Sequence, residues 1–216
     1  MPYSLVISDR PDLKIPARLS YRFGWKLTMT LISSKSLTLP EFFSLTAPDG
    51  DITYELVDGE AIPKMSPKFF HSRLTGALFL VLDRWNQGRG EVGIEWAIIL
   101  SKNDRDWCPV PDLLYISPER LGDIPLTDEA CPVPPELVIE IISPEQSFSS
   151  LSEKAVDYLK AGVSRVWIVD PRAKQITIFY PDAPPAIKKG DDEMSDILLP
   201  DLTLTPGQIF DKARLS

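Results

Sequence analysis

The chain has 216 residues, 44% apolar and 25% charged, with a formal net charge of −8. That length suits one domain with a sizeable core, and the two cysteines exclude a disulfide framework while the single histidine excludes a multi-histidine metal site within one chain. The acidic balance argues against tight, non-specific DNA binding over the whole surface, because the usual footprint of such binding is a basic patch.

Residues 1 to 34 carry scattered basic groups (Arg10, Lys14, Arg18, Arg22, Lys26) with no period, and the expectation is a weakly ordered extension. Met29 is a candidate for the true start. Met1 to Asp9 lacks the basic start and long apolar core of a signal peptide, and no apolar stretch is long enough to span a bilayer. With Cys108 and Cys131 as reduced thiols, the expected location is the cytoplasm. Residues 35 to 216 are expected to form a single domain.

Thr38-Leu39-Pro40-Glu41 has an N-cap candidate with an early proline and acid, which predicts a short helix. In Tyr54 to Ile62, Asp58-Gly59 separates two short alternating runs and predicts a β-hairpin. Glu55 and Glu60 flank that turn and read as surface acids. After Ser66-Pro67, Phe70, Leu74, Leu78, Val81, Leu82 and Trp85 recur at helical spacing, and Gly88 and Gly90 end the pattern.

Glu91 to Leu100 alternates with its even positions apolar, which predicts a strand with Glu91 and Glu95 on the other face. A polar turn follows at 102–106, then a strand from Asp112 to Ile116 and a proline-rich connection at 117–135. Leu137 to Ile142 is a buried strand. Ser150-Leu151-Ser152-Glu153 has capping-box spacing and opens a helix that Gly162 ends. Val166–Val169 and Gln175–Tyr180 are two further strands across an Asp170-Pro171 turn. Beyond Tyr180 the signals weaken, with a strand and a short helix expected within Leu202 to Phe210. The order from residue 66 on is an α/β pattern around a mixed sheet.

Glu140 is the residue that most needs explanation. It interrupts Leu137-Val138-Ile139-Glu140-Ile141-Ile142, and burying an unpaired charge costs roughly several kcal/mol. Asp112 opens the preceding apolar run directly after Pro111. Two acids on neighbouring core strands can share one divalent ion, and oxygen ligands of this kind favour magnesium, manganese or calcium over zinc. Such an ion activates water and offsets phosphoryl charge. Two residues after Glu140 stands Ile142, so the strand itself offers no cation. Lys154, one turn from both Leu151 and Tyr158, is the nearest substitute. Each residue has a plainer reading. Asp112 can cap a turn, Glu140 can be half of a structural ion pair, and Lys154 can be a surface lysine. His71 can be a structural hydrogen-bond donor, and Glu95 either a third ligand or a solvent-face residue.

The ordered series Tyr54-Glu55-Leu56-Val57-Asp58-Gly59-Glu60, Met65-Ser66-Pro67, His71, Pro111-Asp112, Val138-Ile139-Glu140-Ile141-Ile142-Ser143-Pro144, Lys154 with Tyr158, Ala161-Gly162-Val163 and Trp167-Ile168-Val169-Asp170-Pro171 resembles the Uma-two family of bacterial restriction endonucleases. The resemblance covers roughly residues 37 to 210. It implies the PD-(D/E)XK nuclease superfamily and a restriction-endonuclease-like core, a mixed sheet flanked by helices with an N-terminal β-hairpin. It also implies magnesium-dependent hydrolysis of DNA, with Mn2+ able to substitute. Asp112 and Glu140 fall at the metal-ligand positions, Ile142 at the superfamily's usual lysine, and Lys154 at a lysine moved to the next helix. His71 matches a family position, and Glu95 would lie on the first core strand. A homodimer is expected, since double-strand cutters of this fold commonly pair. The alternative is a decayed module of the same fold that binds nucleic acid or protein.

Overall fold

The computed structural model describes residues 36–45 and 52–215, so the expected N-terminal extension and the Met29 start lie outside the described residues. The chain first forms helix α1 (Leu39–Phe43), whose cap is a reciprocal box between Thr38 and Glu41. Strands β1 (Tyr54–Val57) and β2 (Glu60–Pro63) then pair antiparallel, Val57 opposite Glu60. Their two-residue loop has Asp58 at φ 51° and Gly59 at φ 81°. Positive φ at both positions is what the tight turn joining twisted strands demands, and aspartate followed by glycine meets it at low cost.

Helix α2 (Phe69–Asn86) buries Leu74, Ala77, Leu78 and Leu82, which is the apolar stripe visible in the sequence. It ends at Gln87, which takes the left-handed conformation at φ 36°. Strand β3 (Glu91–Ile94) follows, then the β4 (Leu100–Lys102) and β5 (Arg105–Trp107) hairpin, then β6 (Leu113–Ile116). The short helix α3 (Pro118–Leu121) leads to β7 (Leu137–Ile141), and α4 (Phe148–Lys160) crosses to β8 (Arg165–Asp170). Strands β9 (Gln175–Phe179) and β10 (Ala186–Lys189) and helix α5 (Pro206–Lys212) complete the chain.

Six strands form one mixed sheet in the order β10-β9-β8-β7-β6-β3, with β7 and β8 parallel and the other neighbours antiparallel. Side chains alternate across it. Leu113, Tyr115, Leu137, Ile139, Ile141, Trp167 and Val169 face α2 and α5. Leu114, Ile116, Val138, Val166 and Ile168 face α4 and the β4–β5 region, where Leu151, Ala155, Tyr158 and Trp107 pack. The sequence α2, β3, β6, β7, α4, β8 is the helix, three strands, helix, strand order expected of the core.

Four local expectations are corrected. The strand expected over 91–100 stops at Ile94, because Glu95 adopts φ 48° and Trp96 folds back over Gly93. A Cβ at Gly93 would lie 2.8 Å from the indole ring, so glycine is needed at this close approach. The polar turn at 102–106 is a full β4–β5 hairpin. Helix α4 begins a turn before the expected box, with Ser147 as the N-cap accepting from the Ser150 amide. Near the C-terminus, Leu204 makes only an isolated bridge to Met194 where a strand was expected, while β10 arises without a sequence signal.

Candidate active site

The site forms where the start of β6, the end of β7, the N-terminal half of α4, the first turn of α2 and the β1–β2 hairpin meet. Leu113 pairs with Ile139, so one step back along β6 sets Asp112 against Glu140 on β7. Asp112 is buried, and every oxygen of its carboxylate is engaged. Oδ1 accepts from Lys64 Nζ at 2.8 Å; Oδ2 accepts from the Ile141 amide at 2.7 Å and from His71 Nε2 at 2.9 Å. Burial pushes this carboxyl up, but the His71 hydrogen bond and the Lys64 ammonium outweigh it and hold the pKa down at about 2.

Glu140 has the opposite balance. It is 4% exposed, and both of its hydrogen bonds fall on Oε1, from Tyr158 Oη at 2.9 Å and Lys154 Nζ at 2.9 Å. Desolvation pushes its pKa up, Lys154 opposes that, and the nearby charges of Asp112 and Glu55 add to the rise. The two acids that the sequence singled out are therefore tuned apart: one is firmly ionised, the other is inclined to keep a proton. Such divergence in a pair of neighbouring carboxyls is common where acid–base or metal chemistry is done.

Lys154 leaves the flank of α4 one turn from Leu151 and one from Tyr158, both buried, and its stem runs back over the sheet. Its ammonium lies 2.9 Å from Glu140 Oε1 and 2.8 Å from Glu55 Oε1, and 5.6 Å from the Tyr158 ring centroid. Burial alone would lower its pKa; Glu140 and Glu55 more than reverse that and keep it charged. The surface-lysine reading of this residue does not hold.

The remaining residues also join the network. His71, in the first turn of α2, is buried against Asp112, and because an ionised carboxylate only accepts, its Nε2 is the donor. Glu95 is half exposed at the rim, 3.4 Å from Lys64 Nζ, just past the end of β3. Two residues of the hairpin were not read as site residues. Glu55, expected as a surface acid, turns inward and accepts from the Val110 amide at 2.8 Å as well as from Lys154. Lys64, directly after β2, links Asp112 to Glu95, and its pKa stays raised although burial alone would lower it. The signal available for Glu55 was its strand parity. Leu56 is buried on one side of β1, so Glu55 lies on the other, but only the fold shows that this side covers the sheet end. Glu60 is exposed, as expected.

With every acid ionised, four carboxylates (Glu55, Glu95, Asp112, Glu140) would face two ammonium groups (Lys64, Lys154), an excess of two negative charges. One divalent cation would balance that charge. Among the described residues no cluster of three or more His, Cys, Asp or Glu side chains forms a metal cage. An ion here would draw on Asp112 and Glu140 alone and complete its shell with water and substrate oxygens. That fits magnesium, which dehydrates reluctantly, better than zinc or a many-ligand calcium site.

Residues 39–207 match the family model described as "Uma2: Putative restriction endonuclease". The match spans most of the chain, and the chain belongs to this family. The fold is similar to a crystal structure described as a putative nuclease belonging to DUF820 from Anabaena variabilis, with a TM-score of 0.71 and 21% identity. That likeness covers 82% of this chain and 99% of the other. No curated protein matches. Among the described residues no helix is long and apolar enough to cross a membrane.

Proposed function

We propose that the protein is a metal-dependent endonuclease that hydrolyses DNA phosphodiester bonds. Asp112 and Glu140 would hold the ion, Mg2+ with Mn2+ as a substitute, and Lys154 would supply the cation that Ile142 does not. The observation that carries the reading is the meeting of Asp112, Glu140 and Lys154, drawn from three elements, in one buried network. A decayed site would have no reason to keep a lysine and three acids desolvated together, because each buried charge costs stability unless it is paired.

A divalent ion held there by Asp112 and Glu140 would lower the pKa of a bound water and offset charge on the phosphoryl oxygens. The water oxygen bonds to phosphorus, the bond to one ester oxygen breaks, and that oxygen leaves with a proton. Lys154 holds its ammonium beside Glu140, where it can orient the attacking water and stabilise negative charge as it develops. His71 and the Ile141 amide fix the Asp112 carboxylate, and Lys64 shares its other oxygen. Tyr158 fixes Glu140 from α4. The free, buried Cys108 and Cys131 are consistent with a reducing cytoplasm, and cutting both strands of a duplex would call for a homodimer.

The test is nicking of supercoiled plasmid with and without Mg2+. Wild type is expected to nick only with the metal, and Asp112→Asn to lose the activity by at least about 100-fold, as removal of one charge-stabilising group commonly does. Equal cleavage by wild type and Asp112→Asn, or none by either on plasmid or on single-stranded DNA, refutes this use of the site.

A further inference from the structure

A cleft of about 400 Å³ adjoins the network, and its lining includes His71, which bonds Asp112. This volume lies within the range of small-ligand sites, roughly 300–1,000 Å³. Its walls are the first turn of α2, the stretch after β7, the start of α4 and the β8–β9 turn. Three phenylalanines on these walls are left in the open: Phe69 is 69% exposed, Phe70 52% and Phe148 41%. The Phe69 and Phe70 rings lie 5.9 Å apart and tilted by 55°, so their faces do not cover each other. Large exposed aromatic groups gathered at one concave place are uncommon on a monomer surface without a partner.

The polar groups at the rim are the second observation. Lys68, at the N-cap of α2, and Arg172, in the β8–β9 turn, both line the cleft and are exposed. Lys68 has only a long, solvated contact with Glu145, at 3.8 Å. Asp170, the acid in the lining, spends its Oδ1 on the amides of Arg172 and Ala173, which shapes the turn that presents the arginine. Aromatic faces in one cleft with two cations match a nucleotide strand, whose bases stack and whose phosphates pair with ammonium and guanidinium groups. A closed duplex offers no base faces to such a cleft.

We infer that the cleft is a stacking site for unpaired nucleobases, so that the substrate class is DNA with unpaired nucleotides next to the scissile phosphate: single strands, gaps, flaps or flipped bases. This rests on the nuclease reading for the position of the scissile phosphate, and on the cleft alone for base stacking. Unpaired DNA would lie across Phe69 and Phe148 with its backbone between Lys68 and Arg172, which delivers the adjoining phosphate past His71 to Asp112 and Glu140.

The test is binding without cleavage. In EDTA, a short oligothymidylate carrying one 2-aminopurine is titrated with wild type, Phe69→Ala, Phe148→Ala and Phe69→Trp, with the matching duplex as control. Stacking quenches 2-aminopurine, so wild type is expected to quench the single strand and to bind it at least about 10-fold more tightly than the duplex. Each alanine variant is expected to weaken binding about 5- to 100-fold and to lose quenching, and the tryptophan variant to retain both. Arg172→Ala is expected to lower the salt slope of single-strand binding by about 0.7. The alanine positions are exposed, so circular dichroism should show folded variants. Equal affinity for duplex and single strand, unchanged quenching in both alanine variants, or no binding by wild type overturns the inference. Stacking that persists while both supercoiled plasmid and a single-stranded oligonucleotide stay uncut in Mg2+ upholds the cleft and removes only the nuclease reading.

Discussion

Glu140→Gln is expected to stabilise the metal-free protein at neutral pH while removing its response to magnesium. Burial and two neighbouring carboxylates raise the pKa of Glu140 above its ordinary value of 4.5, against the pull of Lys154. At pH 7 the ionised form is therefore disfavoured by its surroundings. Glutamine is close to isosteric, its oxygen can still accept from Tyr158 and Lys154, and Lys154 keeps the Glu55 carboxylate at 2.8 Å. Relieving a buried charge whose desolvation exceeds its pairing typically returns about 1–2 kcal/mol, or about 2–8 °C in Tm for a chain of this size. The sign with pH follows from linkage. A carboxyl whose folded pKa is raised adds stability below the unfolded value of 4.5 and loses it as pH rises through the folded pKa. The advantage of the variant should thus be absent near pH 4.5 and present at pH 7 to 8. Thermal melts by circular dichroism in EDTA read the first effect. Melts in excess Mg2+ read the second, because a ligand bound only by the folded state raises Tm by mass action. A variant destabilised at pH 7 and equally so at pH 4.5 would refute the reasoning, since Glu140 would then be a charged structural partner of Lys154.

Lys154→Met leaves Glu140 and Glu55 facing each other without their ammonium. It should cost about 3–5 kcal/mol in urea titrations at pH 8, with the deficit shrinking as pH falls, because the Glu140 pKa is raised. Asp112 has its pKa lowered from 3.8 to about 2, so its contribution is present above pH 3.8 and lost as pH falls through 2. That limb, on the order of 2 kcal/mol, should be missing from the acid denaturation of Asp112→Asn. Returning the cation to the strand is a third test. If Ile142→Lys partly restores nicking to Lys154→Met, the site needs an ammonium near Glu140 rather than one on α4; no restoration means that the Glu55 contact on the helix side matters too.

The parts of the fold carried by local chemistry were legible. Asp58-Gly59 dictates a tight hairpin turn, the apolar stripe from Leu74 to Leu82 dictates one face of α2, and the buried runs at 113–116 and 137–141 dictate central strands. The strand over 91–100 failed because the same alternation continues through a residue whose backbone turns left-handed, and burial parity cannot see that. Helix α4 was placed late because Ser147 and Ser150 both suit a cap, and Phe148, exposed at the helix start, gives no periodic signal. At the site, the strand acids stood out because a charge in an apolar run is costly. Glu55 and Lys64 did not, because on a short hairpin every polar residue can be supposed to face water. Their burial depends on the hairpin lying over the sheet end, held by the Leu56–Cys108 bridge and the cluster of Phe42, Leu56, Ala61 and Cys108, a contact between segments about fifty residues apart.

The cations of this site therefore come from elements outside the central sheet. Strand residues two apart share a face, so Ile142 lies on the side of Glu140, where a lysine would have had only the end of a strand to hold it. Lys154 is instead held by α4, whose Leu151, Ala155 and Tyr158 are locked in the core beside Val138 and Ile168. Tyr158 from that same helix also fixes Glu140, so one rigid body sets both the acid and its counter-ion. Lys64 does the corresponding work for Asp112 from the hairpin. The uncharged side chain at residue 142 also matters at the surface. Ile142 lines the phenylalanine cleft next to His71, where a lysine would bring a second ammonium and its water into an apolar wall. An aliphatic side chain keeps that wall apolar, as the inferred base stacking would need, while Lys154 on α4 holds its ammonium 2.9 Å from Glu140. Isoleucine at 142 with lysine at 154 thus keeps an ammonium beside Glu140 and leaves an aliphatic side chain lining the cleft.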